Sequence, residues 1–186
     1  MSAVADKIMK RVRAKGRGWV FTPKHFIDFG TRGSVDMALS RLAQAGEVRR
    51  VGRGLYDYPK LHHKLGALTP DAEMIALAVS AQSGDQLAPS AATAANGLGL
   101  SAQIPAKPSY ATTGRTRVRV AAGRSVALKH SRAPVLGNAS ETANGVVQLL
   151  ASLGRNKVDA DAIALLSDRL DNRDLQALLK GRAVMP

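Results

Sequence analysis

Arg49, Arg50 and Arg53 fall within five residues of one another with no acid among them, the first two on a stretch from Glu47 to Val51 that alternates in a strand-like way with Val48 and Val51 inward, and the third at the tip of the turn that follows. A guanidinium is always charged and presents a rigid fork of donors, so three on a narrow ribbon suit phosphate oxygens or the minor groove. Arg41 stands a little earlier in a helical stretch, and it is the best placed residue for bidentate readout of a guanine edge. The chemistry offered is therefore recognition of nucleic acid rather than bond making.

The elements that must carry these residues are legible around them. Thr22 can cap a helix whose first position is Pro23, and Gly30 closes it after Ile27 and Phe29. Thr31-Arg32-Gly33 reads as a turn. Ser34 can then cap a second helix, with Val35, Ala38, Leu39, Leu42 and Ala43 spaced i, i+3, i+4, i+7, i+8, and Gly46 placed to end it. Its other face carries Asp36, Met37, Ser40, Arg41 and Gln44. Gly52-Arg53-Gly54 supplies a turn, and Leu55-Tyr56 starts a return strand.

Helix, turn, helix and basic ribbon is the order of a winged helix-turn-helix. In that architecture the second helix enters the major groove with its N-terminal residues nearest the bases. The candidate DNA-binding set is Lys24, Arg32, Ser34, Met37, Ser40, Arg41, Arg49, Arg50 and Arg53. The same pattern also serves interaction modules that never touch DNA, and a basic run is often only a solvated face. Charge separates the readings. Residues 1–65 hold fourteen Lys or Arg against five Asp or Glu, which is +9 of the chain's +13. Lys7, Lys10, Arg11, Arg13, Lys15 and Arg17 extend the basic surface along an N-terminal helix that Val4, Ile8, Met9 and Val12 can pack. A surface of that kind attracts phosphates strongly and in a salt-sensitive way.

At 186 residues and 45% hydrophobic content the chain can build two small domains with adequate cores. The absence of cysteine excludes disulfides, thiol catalysis and Cys-based metal sites. The longest apolar run, around Met74 to Ala81, is too short to span a membrane, and the start of the chain is charged where a signal sequence is apolar. A soluble cytoplasmic protein is the expectation. Low aromatic content argues against a platform for stacking single strands.

Residues 59 to 68 read as a connector. His62-His63, with no third ligand nearby, reads as exposed polar residues, so no metal is expected. Thr69 and Pro70 open a helix that stops near Gly84, and a short helix follows Pro89-Ser90. From Ser109 the period becomes two. Ser109 to Thr113, Thr116 to Ala121 and Ser125 to His130 are read as three strands of a small antiparallel meander, with Val118, Val120, Val126 and Leu128 on one face. Arg117, Arg119 and Lys129 fall on the other face, and with Arg115 they form a possible secondary nucleic-acid surface in a stretch, Gln86 to Ser140, that has no acid and seven Lys or Arg. Helices over roughly 140–153, 159–170 and 172–179 complete the chain. The fold class expected is α+β: a winged helix-turn-helix over residues 1–65, then a mixed domain over 69–186 with a small antiparallel sheet and several helices.

The wing end Arg53-Gly54-Leu55-Tyr56, the stretch Pro89-Ser90-Ala91-Ala92-Thr93-Ala94-Ala95 leading to Leu98-Gly99-Leu100-Ser101, the strand end Thr112-Thr113-Gly114 and the helix Gln148-Leu149-Leu150-Ala151-Ser152-Leu153-Gly154 together resemble AbiEi-type antitoxins of type IV toxin-antitoxin systems. The motifs are short, and their order along nearly the whole chain carries the resemblance. It implies phage defence, an N-terminal domain that binds inverted repeats at its own promoter and represses its operon, and a C-terminal domain that antagonises a nucleotidyltransferase-like toxin without necessarily forming a stable complex. No cofactor is implied. Two alternatives compete: a transcriptional regulator unrelated to a toxin, and an atypical kinase-like enzyme that modifies its toxin. The chain has no Walker A loop, HExxH, GxSxG or kinase glycine-rich loop. Ser90, Thr93, Lys107, His130, Asp159 and Asp161 are the residues an enzyme would have to use, and each has a simpler role as cap, turn or surface residue. No catalytic residue is assigned.

Overall fold

The computed structural model describes residues 3–102, 107–154, 158 and 160–185. Helices and strands are mixed along the chain in an α+β arrangement, and the strands form three small sheets. The chain divides into two compact units, Met1–Gly84 with Arg119–Val126, and Asp85–Val118 with Ala127–Pro186. Among the described residues no helix is long and apolar enough to cross a membrane.

In the first unit the order is α1 (Ala3–Lys15), β1 (Val20–Phe21), a 3-10 helix (Pro23–Phe26), α2 (Arg32–Gln44), β2 (Arg49–Gly52), β3 (Leu55–Asp57), β4 (Leu61–His62), β5 (Gly66–Ala67) and α3 (Ala72–Ser83). β3 is central in its sheet, antiparallel to both β1 and β2. The core collects Ile8, Met9 and Val12 from α1, Val35, Leu39 and Leu42 from α2, and Phe21, Phe26, Val48 and Tyr56 from the segments between and after them. Burying each large side chain of this kind contributes about 1.5 to 3 kcal/mol relative to leaving it in water. Phe21 meets Phe26 edge-on at 5.4 Å and stacks on Tyr56 at 6.2 Å, so the 3-10 helix is tied to the sheet.

Four local expectations change. The helix expected from Thr22 to Gly30 is a single 3-10 turn, because Phe26 goes fully into the core while Ile27 is left 56% exposed, and no apolar stripe continues beyond one turn. α2 begins at Arg32, inside the segment read as a turn, and its cap is Thr31 rather than Ser34. Thr31 Oγ1 accepts the Ser34 N–H at 3.3 Å while Ser34 Oγ donates back to the Thr31 carbonyl at 2.8 Å. A threonine with an extended backbone three residues before a free N–H satisfies that donor, and Gly33 is tolerated in the first turn. The connector holds the β4–β5 hairpin, whose turn is fixed by His62 Nδ1 accepting the N–H groups of Lys64 and Leu65 at 3.2 and 3.3 Å. α3 in turn starts after Asp71, two residues later than Thr69 suggested.

The second unit contains β6 (Leu87–Pro89), α4 (Ala91–Gly97), β7 (Ser109–Thr112), the outer parts of β8 (Arg117–Ala121) and β9 (Arg124–His130), α5 (Glu141–Leu153), α6 (Ala160–Asp168), α7 (Asn172–Gly181) and a final 3-10 turn. The expected meander is corrected. The sheet order is β6-β7-β9-β8, with β6 antiparallel to β7 and β7 parallel to β9, so the sheet is mixed. β6 is too short and too close to Pro89 to show a period, yet it takes one edge of β7, and β9 takes the other. Strand β8 is then left at the sheet's edge. Val118 and Val120 are accordingly 58% and 60% exposed, whereas Val126 and Leu128 are fully buried, which overturns the shared apolar face. Helices α4 and α5 pack through Ala94, Leu98, Val146 and Leu149. Gly145 permits this, since a Cβ there would stand 3.1 Å from that of Ala94. Buried Asn144 holds the loop before α5, accepting the Leu136 N–H at 2.7 Å and donating to the carbonyls of Leu136 and Ser140.

Candidate nucleic-acid interface

α2 shows two chemically distinct faces. Val35, Ala38, Leu39 and Leu42 are buried, and the opposite side exposes Met37, Ser40, Arg41 and Gln44. Met37 is 57% exposed and stands beside Ser40 and Arg41 on that free face. Among the described residues nothing hydrogen-bonds or pairs with Arg41, so its five donors are available. Arg32 is exposed too, but its Nε donates to both oxygens of Asp36 at 3.1 and 2.9 Å. A pair exposed to this degree and four residues apart is worth about 0.3 to 0.5 kcal/mol, so a phosphate can displace the carboxylate. Ser34 is spent on the cap of α2, with its hydroxyl donating to the Thr31 carbonyl. Lys24 is exposed on the 3-10 helix.

The ribbon treats its three arginines differently. The β2–β3 pairing sets Arg49 opposite Asp57, Arg50 opposite Tyr56 and Gly52 opposite Leu55, with an irregularity between Arg50 and Gly52. Gly54 has φ +68°, a conformation that L side chains rarely adopt, so the turn presents Arg53 at its tip. Arg50 and Arg53 are exposed and have no side-chain partner among the described residues. Arg49 is anchored: Nε and Nη2 reach the two Asp57 oxygens at 3.0 and 2.6 Å, and Nη2 also donates to the Leu68 carbonyl at 2.8 Å. Asp57 is 1% exposed, and its hydrogen bonds to Arg49 raise the arginine's pKa against the opposing effect of burial. The structure therefore gives Arg49 the work of orienting the ribbon and leaves Arg50 and Arg53 facing out.

The helix preceding this surface is braced by Arg11, whose guanidinium pairs with Asp28 at 2.9 and 2.6 Å, donates to the His25 carbonyl and lies 4.0 Å from the centre of the Phe29 ring. His25 Nδ1 accepts the Thr22 N–H at 3.1 Å. Burial lowers the His25 pKa, the Thr22 backbone contact works against this, and the charges of Arg11, Lys15 and Lys24 lower it further. A base whose folded pKa is depressed binds fewer protons folded than unfolded, so its stabilising effect is present above the unfolded value and lost as pH falls below it. The thermal midpoint is expected to fall on acidification, starting near the ordinary histidine value of 6.5. His25→Asn, which keeps an acceptor and removes the titration, should flatten that part of the profile in scanning calorimetry. An unchanged profile would remove His25 as its source.

The secondary set is not one surface of one unit: Arg119 lies in the first unit, and Arg115, Arg117 and Lys129 lie in the second. Arg117 is held by Asp85 at 2.7 Å with both side chains about four-fifths covered, so the acid just before the acid-free stretch already claims it. Arg115 and Lys129 are exposed. Of the residues an enzyme would use, Ser90 and His130 line one cleft of about 400 Å³ in the second unit. There Ser90 Oγ is 2.9 Å from Thr93 Oγ1 and accepts from Ser109 Oγ, while His130 Nδ1 lies 3.0 Å from the Gly114 carbonyl. Asp159 lies outside the described residues, as does the start of the helix expected there. Among the described residues no group of three or more His, Asp or Glu is placed to hold a metal ion.

The chain belongs to DUF6088, a family of unknown function whose profile matches residues 7–178. No curated protein and no solved structure matches it.

Proposed function

We propose that the protein is a DNA-binding antitoxin that represses its own operon, its first unit acting as a winged helix-turn-helix with α2 in the major groove. The single observation that carries the DNA reading is the free face of α2, Met37, Ser40 and Arg41, on a unit whose following ribbon puts Arg50 and Arg53 at its surface without acidic partners. The order helix, strand, short helix, helix, hairpin, with β3 between β1 and β2, supports it. So does the charge of +9 over residues 1–65. The likeness to AbiEi-type antitoxins supports the second half of the reading: a cytoplasmic protein whose partners are inverted repeats in its promoter and a nucleotidyltransferase-like toxin.

Competition in a gel shift at about 0.15 M salt tests the DNA half, because loose attraction to phosphate is weakened at that ionic strength. The promoter duplex is expected to outcompete a scrambled one clearly, and equal affinities would overturn specific recognition. Expressing the chain beside a nucleotidyltransferase-like toxin encoded next to it tests the other half. Restored growth is expected. Repression without rescue would leave a regulator unrelated to a toxin.

A further inference from the structure

The first unit is completed by a segment far away in sequence. Arg119–Val126 belongs to it, and the tie to β2 is made by backbone. The Ala122 N–H donates to the Val51 carbonyl at 2.9 Å. The Val120 carbonyl stands 3.0 Å from where a Cβ on Gly52 would be, a closeness that glycine permits. Strand β2 pairs with β3 on one side only, so this segment meets a strand at the end of its sheet. Its own turn is tightly specified. Ala122 has φ 49° and Gly123 has φ 78°, two successive left-handed residues as a two-residue hairpin turn requires. A non-glycine residue in that region is unfavourable by about 1 to 2 kcal/mol, and here its N–H is the group that bonds the ribbon.

Arg119 and Arg124 flank this turn. Both are exposed, the segment contains no acid, and among the described residues neither side chain has a partner. We propose that Arg119 and Arg124 bind DNA phosphates on a second basic hairpin that borders the ribbon of Arg50 and Arg53. The inference rests on the DNA reading above and extends it: the interface is not contained in the first 65 residues but includes a segment more than fifty residues beyond them. Duplex DNA carries one charge per ~1.7 Å of axis, so a second strip of guanidinium groups beside the first engages additional phosphates without needing to read a base.

The test uses the full chain and measures affinity for promoter and scrambled duplexes over a salt series. Arg119→Ala and Arg124→Ala should each weaken both duplexes by a similar factor and reduce the slope of log K against log salt by about 1, and the double variant by about 2. Arg173→Ala removes the same charge from the exposed start of α7 in the other unit and should leave the slope unchanged, which separates contact from net charge. Calorimetry of each variant should show the parent's thermal midpoint, as expected of exposed side chains. If the double variant keeps the parent's slope and affinity, or if Arg173→Ala lowers the slope as much, the second hairpin is not a contact while the DNA reading stands. A parent chain that binds neither duplex overturns both.

Discussion

Arg49→Leu is expected to destabilise the protein by about 3 kcal/mol, the range found when one partner of a buried ion pair is removed. Leucine supplies the apolar stem but none of the donors that satisfy both oxygens of Asp57 and the Leu68 carbonyl. Asp57 is 1% exposed and cannot turn to water, so its charge is left uncompensated inside the sheet. Denaturant unfolding followed by circular dichroism measures the loss as a lower midpoint at unchanged slope. Arg50→Leu, one residue away on the exposed side, should stay within about 0.5 kcal/mol of the parent. Replacing both partners, Arg49→Leu with Asp57→Leu, should recover much of the loss, since two apolar groups leave no orphan charge. Parent-like stability in Arg49→Leu would show that the pair does not hold the ribbon.

That asymmetry between neighbouring arginines marks where the sequence stops being legible. The period of α2 puts Val35, Leu39 and Leu42 inside, and they are inside, because the helical period follows from backbone geometry alone. The free face of α2 follows from the same spacing. Val48 and Val51 are buried as expected, but three residues apart they do not share a strand face by period: Val48 precedes β2, and the ladder is irregular between Arg50 and Gly52. Which arginine is committed does not follow from counting charges, because it depends on cross-strand register. Asp57 faces Arg49 only once the Arg53-Gly54 turn and the irregularity between Arg50 and Gly52 are set. An acid eight residues after an arginine, across a glycine-flanked turn, was the available signal. Spacing alone puts Arg117 on the secondary surface for a related reason, since Asp85, the acid that holds it, lies just outside the acid-free stretch. The sheet of β6 to β9 departs from the pattern at longer range: three strands in succession suggest a meander, and nothing local says that β9 will sit beside β7 in parallel. The pairing of Ala122 with Val51 is more distant still, and no pattern in either segment announces it.

The two arginines that remain free on α2 and the ribbon should fail differently when removed. Arg41→Ala is expected to cost about 1 to 3 kcal/mol of binding to the promoter and much less on a scrambled duplex, because a bidentate contact to a guanine edge discriminates between bases. Arg53→Ala at the tip of the turn should instead weaken both duplexes evenly and lower the salt slope by about 1, as expected for a phosphate contact. If Arg53 enters the minor groove, its loss should fall most heavily on sites with A·T-rich flanks, where that groove is narrow and its potential most negative. Fluorescence anisotropy with the promoter, a scrambled duplex and a promoter carrying G·C flanks reads all of this in one series. Both side chains are exposed, so neither substitution should disturb folding, and lost affinity reports on DNA directly. Parent-like binding in both variants would mean that the face of α2 carrying Met37, Ser40 and Arg41 is not the one that meets DNA.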